Sequence, residues 1–153
     1  MLTSSSGIIR PLVVDDWSGW RVLWEGYLRF YREELPEDVT RSTFDRLCEQ
    51  RDEMFGFVAE GAEGELVGIV HALLHTSTWT TASYCYLEDL FVAPETRGTP
   101  VARELIEAVA AEAGRRGADK VYWHTQEFNG RARSLYDQVA KRISIVVYER
   151  ELS

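Results

Sequence analysis

The sequence predicts an α/β fold, a single domain with a mixed central sheet of about six or seven strands flanked by about four helices. Three observations carry this reading. Helical and strand-like periodicities interleave along almost the whole chain. The middle reads as consecutive strands, and the C-terminal part alternates helix, strand, helix and strand. At 153 residues and 45% hydrophobic, with no internal repeat, linker or low-complexity segment, the chain can fill one core and is too short for a second domain.

Residues 1–7, MLTSSSG, read as a disordered polar leader before a domain spanning 8–153, because they lack the basic end and hydrophobic core of a signal peptide. Ile8 to Val14 forms a first strand, with Pro11 tolerated where an edge or strand end needs no donor. In DWSGWRVLWEGYLRFY, the residues Trp17, Trp20, Trp24, Tyr27, Leu28 and Tyr31 recur at helical spacing and build one broad aromatic face. Most of that stripe belongs to the core, while its far end, Tyr31 with Glu33 and Glu34 just beyond, is available to line a pocket. After Leu35 and Pro36, Thr40 and the spacing of Val39, Phe44 and Leu47 signal a short second helix. MFGFVAEGAEGELVGIVHALLHTS reads as two strands joined by a turn from Gly61 to Gly64, and TASYCYLEDLFVA adds a third to the meander. VARELIEAVAAEAGRRG is then helix, KVYWHTQ strand, GRARSLYDQVA helix and ISIVVYERE a last strand.

Composition excludes several classes. A formal net charge of -8 repels phosphate backbones, so nucleic acid is excluded as a partner. A cationic ligand suits that balance, although acidic surfaces also serve solubility. Cys48 and Cys85 are too few for a disulfide framework or a four-cysteine metal site and indicate a reduced, cytoplasmic protein. No apolar run approaches the roughly 20 residues of a membrane span. His71 and His75 stand four apart in a strand, so they do not build a helical metal face, and His124 adds too little for a metal site. They are candidates for an acceptor cleft instead, as are Trp79, Trp123, Gln126 and Glu127, for each of which core or surface packing is the plainer fate.

The stretch Leu87 to Ala102, LEDLFVAPETRGTPVA, holds the most chemical information. The helix after it is well specified, since Val101, Leu105, Ile106, Val109 and Ala113 share a face and Gly117 is placed to end it. Thr99 is a good N-cap, Pro100 suits the first helical position, and Arg97 with Gly98 supplies a tight approach. A strand running through a glycine turn into a helix N-terminus favours an anion, because free amides and the helix dipole both point there. Many such turns hold no ligand, so the order of the surrounding elements has to decide.

That order resembles the GNAT superfamily of acyl-CoA N-acyltransferases. The family signature runs from a strand L-x-D/E-L-x-V through a loop Q/R-x-x-G-x-G/A into a long helix, with N-x-x-A-x-x-x-Y one strand later. Here the pieces read Leu87 to Val92, Arg97 to Ala102, and Asn129 to Tyr136 with Ala132 between. The polyamine and thialysine N-acetyltransferases and related bacterial proteins look most similar, through Tyr86 to Asp89, Asn129 to Tyr136, and the helix end at Phe30 and Tyr31. The resemblance implies acetyl-CoA as acyl donor, with pantetheine paired along Leu90, Phe91 and Val92. It puts the pyrophosphate on the loop of Arg97, Gly98, Thr99, Pro100, Val101, Ala102 and Arg103, with Asn129 and Ala132 beside the cofactor. It also implies a homodimer, across which the apolar strand ISIVVY could pair.

An alkyl amine has a pKa near about 10.4, so attack on a thioester at neutral pH needs a group that removes a proton, directly or through water. Glu88 is the candidate: on strand alternation it shares a face with Tyr84 and Tyr86, and the resemblance gives its position to the base. The alternative is that Glu88 or Asp89 only caps or salt-bridges a solvent face. The resemblance makes Tyr136 the acid toward the CoA thiolate, whereas helical spacing alone would make it core. It also puts the oxyanion donor at a backbone amide near Leu90. Tyr31, Glu33, Glu34 and Glu127 then suit a small cationic acceptor, a polyamine or basic amino acid.

Two departures from the family pattern stand out. Pro100 occupies the position of the first loop glycine and removes one amide from the phosphate cradle. If nothing compensates, that loss costs about 1.5 to 3 kcal/mol, roughly tenfold to more than a hundredfold in affinity. The amides of Gly98, Thr99, Val101 and Ala102 remain, so weakened rather than abolished binding is expected. Arg142 to Ser144 replaces the Gly-Phe turn that many relatives carry after the tyrosine helix. Two rival readings are a degenerate acyl-CoA-binding or partner-binding module and a protein N-acetyltransferase.

Overall fold

A computed structural model describes residues 7–51 and 53–153. The leader expected at 1–7 therefore falls outside the described residues except for Gly7. The order of elements is β1 (Ile8–Pro11), a 3-10 turn at Val14–Asp16, α1 (Trp17–Phe30), α2 (Glu37–Glu49), β2 (Met54–Glu60), β3 (Leu66–Thr76), β4 (Ser83–Val92), α3 (Val101–Arg115), β5 (Ala118–Tyr122) and α4 (Gly130–Val139). The five strands lie in one sheet in sequence order. β1 to β4 are antiparallel neighbours, and β5 joins β4 in parallel after the α3 crossover.

Each face of the sheet is covered, which is why the middle strands are apolar on both sides. On one face α3 lays Val101, Leu105, Ile106, Val109 and Ala113 against Phe55, Val70, Ala72, Cys85 and Leu87. Gly68 on β3 lets that helix come close, because a Cβ there would sit 3.0 Å from Leu105 Cδ1 and 3.1 Å from Val101 Cγ1. On the other face α1 and α2 bury Trp20, Leu23, Trp24, Phe44 and Leu47 against Val58, Ile69 and Phe91. The aromatic stripe of α1 is a ladder: Trp17 stacks on Trp20, Trp20 on Trp24 and Trp24 on Tyr27, at centroid spacings of 6.0, 5.4 and 5.5 Å. Tyr31 ends it edge-on to Tyr27 at 5.0 Å.

Several expectations are corrected. The sheet has five strands, not six or seven, because 143–151 forms no strand. Ile143, Ile145, Val146, Val147 and Tyr148 are all exposed. α4 ends at Ala140 in extended backbone, with φ -154°, and no glycine turns the chain back onto the sheet. β1 stops at Pro11, and Val14 belongs to the 3-10 turn that leads into α1. The second helix spans 13 residues, close to the 14 of α1, so it is not short. The fifth strand begins at Ala118 rather than Lys120 and ends at Tyr122, leaving His124 and Gln126 in the following loop.

Candidate active site

The site is shaped by what β4 does halfway along. His71 pairs with Asp89, but Ala72 pairs with Leu87, so Glu88 is the extra residue of a β-bulge. Because side chains alternate with a period of two, the bulge puts Tyr84, Tyr86, Asp89 and Phe91 on the α1 side and turns Leu87 and Val92 to the α3 core. The parallel pairing with β5 covers only Ser83 to Tyr86. Beyond Tyr86, the edge of β4 through Leu90, Phe91 and Val92 faces no strand among the described residues. A free strand edge offers backbone donors and acceptors to an extended ligand.

That edge runs into the loop before α3. Gly98 takes φ +89°, and a Cβ on it would meet nothing within 4 Å, so this turn is open toward the outside. The helix begins at Val101, which puts Pro100 at the N-cap rather than the first helical position. Thr99 still helps: its hydroxyl accepts from the Val101 amide at 3.4 Å while donating to the Thr96 carbonyl at 2.7 Å. The Thr99 amide also bonds the Thr96 carbonyl, at 3.3 Å. The expected set of free amides is thus corrected, since Thr99 and Val101 are engaged. Gly98, Ala102 and Arg103 keep amides without an acceptor among the described residues. Arg97 bonds the Val92 carbonyl from Nε at 3.3 Å and lies over Phe91, and Arg103 reaches Gln138 Oε1 at 2.5 Å. Asn129 caps α4, its side chain accepting from the Ala132 amide at 3.4 Å. A groove of about 790 Å³ between α1 and the β4–α3 connection, walled by Val22, Gly26, Arg29, Phe91 and Arg97, meets the loop on its far side and does not include Glu88 or Tyr136.

Glu88 is exposed just beyond the end of the β5 pairing, and its pKa is raised by desolvation first and by the Asp89 charge second. Tyr136, partly buried against Trp123 at 5.4 Å, is pushed up to about 12 by burial, with Tyr31 adding to it. It therefore holds its proton at neutral pH. Tyr31 is raised in turn by burial and then by Asp89, and Tyr86 by burial and then by Glu88. Tyr136, Tyr31, Tyr86, Glu88 and Asp89 are thus within electrostatic range of one another. Glu33 and Glu34 beyond α1 and Glu127 before α4 are exposed, and nothing in the structure ties their carboxylates to these residues.

Sequence reasoning did not name Tyr122, gave Tyr27 only a place in the helical stripe, and did not pair the histidines with the tyrosines of β4. Tyr27 donates to the Glu88 carbonyl at 3.4 Å, and its pKa is raised by burial and by Asp89. Tyr86 meets His124 Nδ1 at 3.2 Å, and the Tyr122 hydroxyl meets His75 Nε2 at 2.8 Å. Tyr84, Tyr86, Tyr122, His75 and His124 make an aromatic and imidazole platform beside Glu88. The signal for it was the alternation of tyrosines on β4, whose partners across β3 and β5 only the register reveals.

Residues 20–140 match the acetyltransferase (GNAT) family. The chain belongs to that family. Among its relatives is a D-amino-acid N-acetyltransferase of Saccharomyces cerevisiae, 33% identical over 144 residues that cover 94% of this chain and 89% of the yeast protein. An uncharacterized N-acetyltransferase of Bacillus subtilis is 27% identical over 85% of this chain and 86% of its own. Solved GNAT structures share the fold: an aminoglycoside N-acetyltransferase in complex with CoA superposes with a TM-score of 0.81 at 22% identity, covering 94% of this chain and 93% of that one. A ribosomal-protein-alanine N-acetyltransferase of Brucella melitensis superposes at 0.76, with 22% identity over 95% and 99% of the two chains. The protein is accordingly an acetyl-CoA-dependent N-acetyltransferase. The free β4 edge and the three unengaged loop amides fit that donor.

Proposed function

We propose that this GNAT protein acetylates the primary amine of a small cationic acceptor, with Glu88 as the base, directly or through water, and Tyr136 as the acid. The observation that carries the reading is the carboxylate pair at the bulge, Glu88 with its raised pKa beside Asp89, where the β5 pairing of β4 has ended. Acetyl-CoA supplies the thioester. Glu88 takes a proton from the arriving ammonium, and Tyr136 holds the proton that a departing thiolate needs. Asp89 supplies negative charge that favours a cation at the same place. Glu33, Glu34 and Glu127 add acidic surface around the entrance, on which a polyamine or a basic amino acid would be selected. The yeast relative's acceptor, a D-amino acid, is likewise a small amine.

The test is thiol release from acetyl-CoA with a panel of cationic and neutral amines, followed across pH. A raised Glu88 pKa means that the base form is populated only above the displaced midpoint, so kcat/KM should fall as pH drops through it. Glu88→Gln should lower kcat by about 10² or more and abolish that limb. Equal rates on cationic and neutral amines would sink the acceptor assignment. Cys48 and Cys85 are unpaired, and burial pushes both thiols up to about 11, which suits a chain working in the reducing cytoplasm. We also assign the exposed apolar tail, with the outer edge of β5, to a homodimer contact.

A further inference from the structure

The most enclosed polar group near the site is His71, which is 4% exposed. Both of its ring nitrogens are engaged. Trp20 Nε1 lies 3.0 Å from His71 Nε2, and His71 Nδ1 lies 2.9 Å from Asp89 Oδ2. An indole nitrogen can only donate, so Nε2 must present its lone pair. The ring's hydrogen is then on Nδ1 and is directed at Asp89. Around the imidazole stand Trp20 and Trp24 of α1, at ring distances of 5.8 and 5.4 Å, and Gly56 of β2, where a Cβ would approach Cδ2 to 3.4 Å. Asp89 is the carboxylate bonded to it, and Glu88 also lies within range of its charge. Asp89 itself faces Glu88 on β4 and Tyr27 and Tyr31 on α1, with Tyr86 next to Glu88.

Two neighbouring carboxylates that must handle one ammonium need different tasks, one taking the proton and the other keeping its charge. Nothing in their residue types assigns these tasks. We propose that His71 is a positioning residue that assigns them: locked by Trp20 with its hydrogen on Nδ1, it holds Asp89 as the permanent carboxylate and leaves Glu88 as the one that takes up the proton. This rests on the reading of Glu88 as the base. Aromatic packing alone would explain the ladder of α1, but it does not require a hydrogen-bond acceptor beneath Trp20 or a donor aimed at Asp89.

The experiment is an NMR titration of the Glu88 carboxyl with ¹⁵N detection of the His71 ring, in the native protein and in Trp20→Phe, His71→Leu, His71→Asn and Asp89→Asn. In the native protein His71 should show Nδ1–H with an unprotonated Nε2, and Glu88 should titrate in a single step. In His71→Leu the proton is shared between the two carboxyls and the Glu88 curve becomes biphasic. His71→Asn, which can again present an N–H to Asp89, should restore the single step. Asp89→Asn removes the like charge and should move that step to lower pH, leaving the part of the shift that desolvation causes. Trp20→Phe should release the ring from its fixed tautomer. An imidazolium or Nε2–H form in the native protein would overturn the proposal, as would a single unshifted Glu88 step in a folded His71→Leu protein. Failure of the Glu88 reading would show separately, as turnover retained in Glu88→Gln.

Discussion

Tyr136 shows how one side chain can satisfy two demands. Its ring packs on Trp123 in the space between α4 and the sheet, and the same burial keeps its hydroxyl protonated far past neutrality. A core tyrosine and a proton donor are therefore compatible here. Tyr136→Phe keeps the ring and removes only the hydroxyl, so the fold should be preserved while kcat falls at least tenfold, toward the loss of about 10² to 10⁴ usual for a general acid. Unchanged kcat in a burst-free steady-state assay would leave the residue a packing role only. The other residues of the neighbourhood were legible to different degrees. Glu88 and Tyr136 were visible in the motifs, and Tyr31 in the helical stripe. Asp89 was noticed as part of the strand motif and as an alternative to Glu88, and His71 as a poor metal ligand and a candidate for the acceptor cleft, but neither was linked to the other. What separates these residues is a hydrogen-bond partner across another element, which alternation and spacing do not encode.

At the scale of elements, the sequence announced the meander, the α3 crossover and the interleaved second half, because each has a strong apolar period and clear punctuation. It did not announce the bulge. An inserted residue leaves the apolar pattern of each half-strand intact and shifts only their relative phase. The last strand failed for the opposite reason: the run ISIVVY has high β-propensity, but propensity does not bring a strand to a sheet when no turn directs it. The loop before α3 lies between these cases, legible in type and different in detail. Pro100 at the N-cap, with φ -71°, lacks the amide that a glycine would present. Thr99 and Val101 are already bonded within the loop, so on the proposed reading three amides are left for the pyrophosphate, fewer than the motif suggests. Pro100→Gly should tighten acetyl-CoA binding by about tenfold or more in calorimetric titration. Weaker binding would mean that the fixed backbone of proline preorganises the loop and outweighs its missing donor.

For the whole molecule, a three-layer arrangement puts α1 and α2 on one face of the sheet and α3 on the other, with β4 in contact with both. The apolar tail and the outer edge of β5 are the parts this arrangement leaves uncovered. Sedimentation velocity should show a dimer for the full chain and a monomer once residues 143–153 are removed, with no loss of secondary structure beyond the tail. A monomer in both would refute the assignment of the tail to a subunit contact. Among the described residues no helix is long and apolar enough to cross a membrane.

The bulge at Glu88 has one more consequence, in the time domain. The ladder on either side of it pairs Leu90 with Val70 and Leu87 with Ala72, under two packed faces. The inserted residue stands outside that pairing. In hydrogen exchange the Glu88 amide should therefore exchange orders of magnitude faster than those of Val70 and Ala72, as an isolated fast site in the slowest-exchanging part of the molecule. A ligand seated along the β4 edge would slow that one amide selectively and so report occupancy before any turnover. Protection of Glu88 equal to its neighbours in the free protein would mean that the strand closes over the insertion in solution.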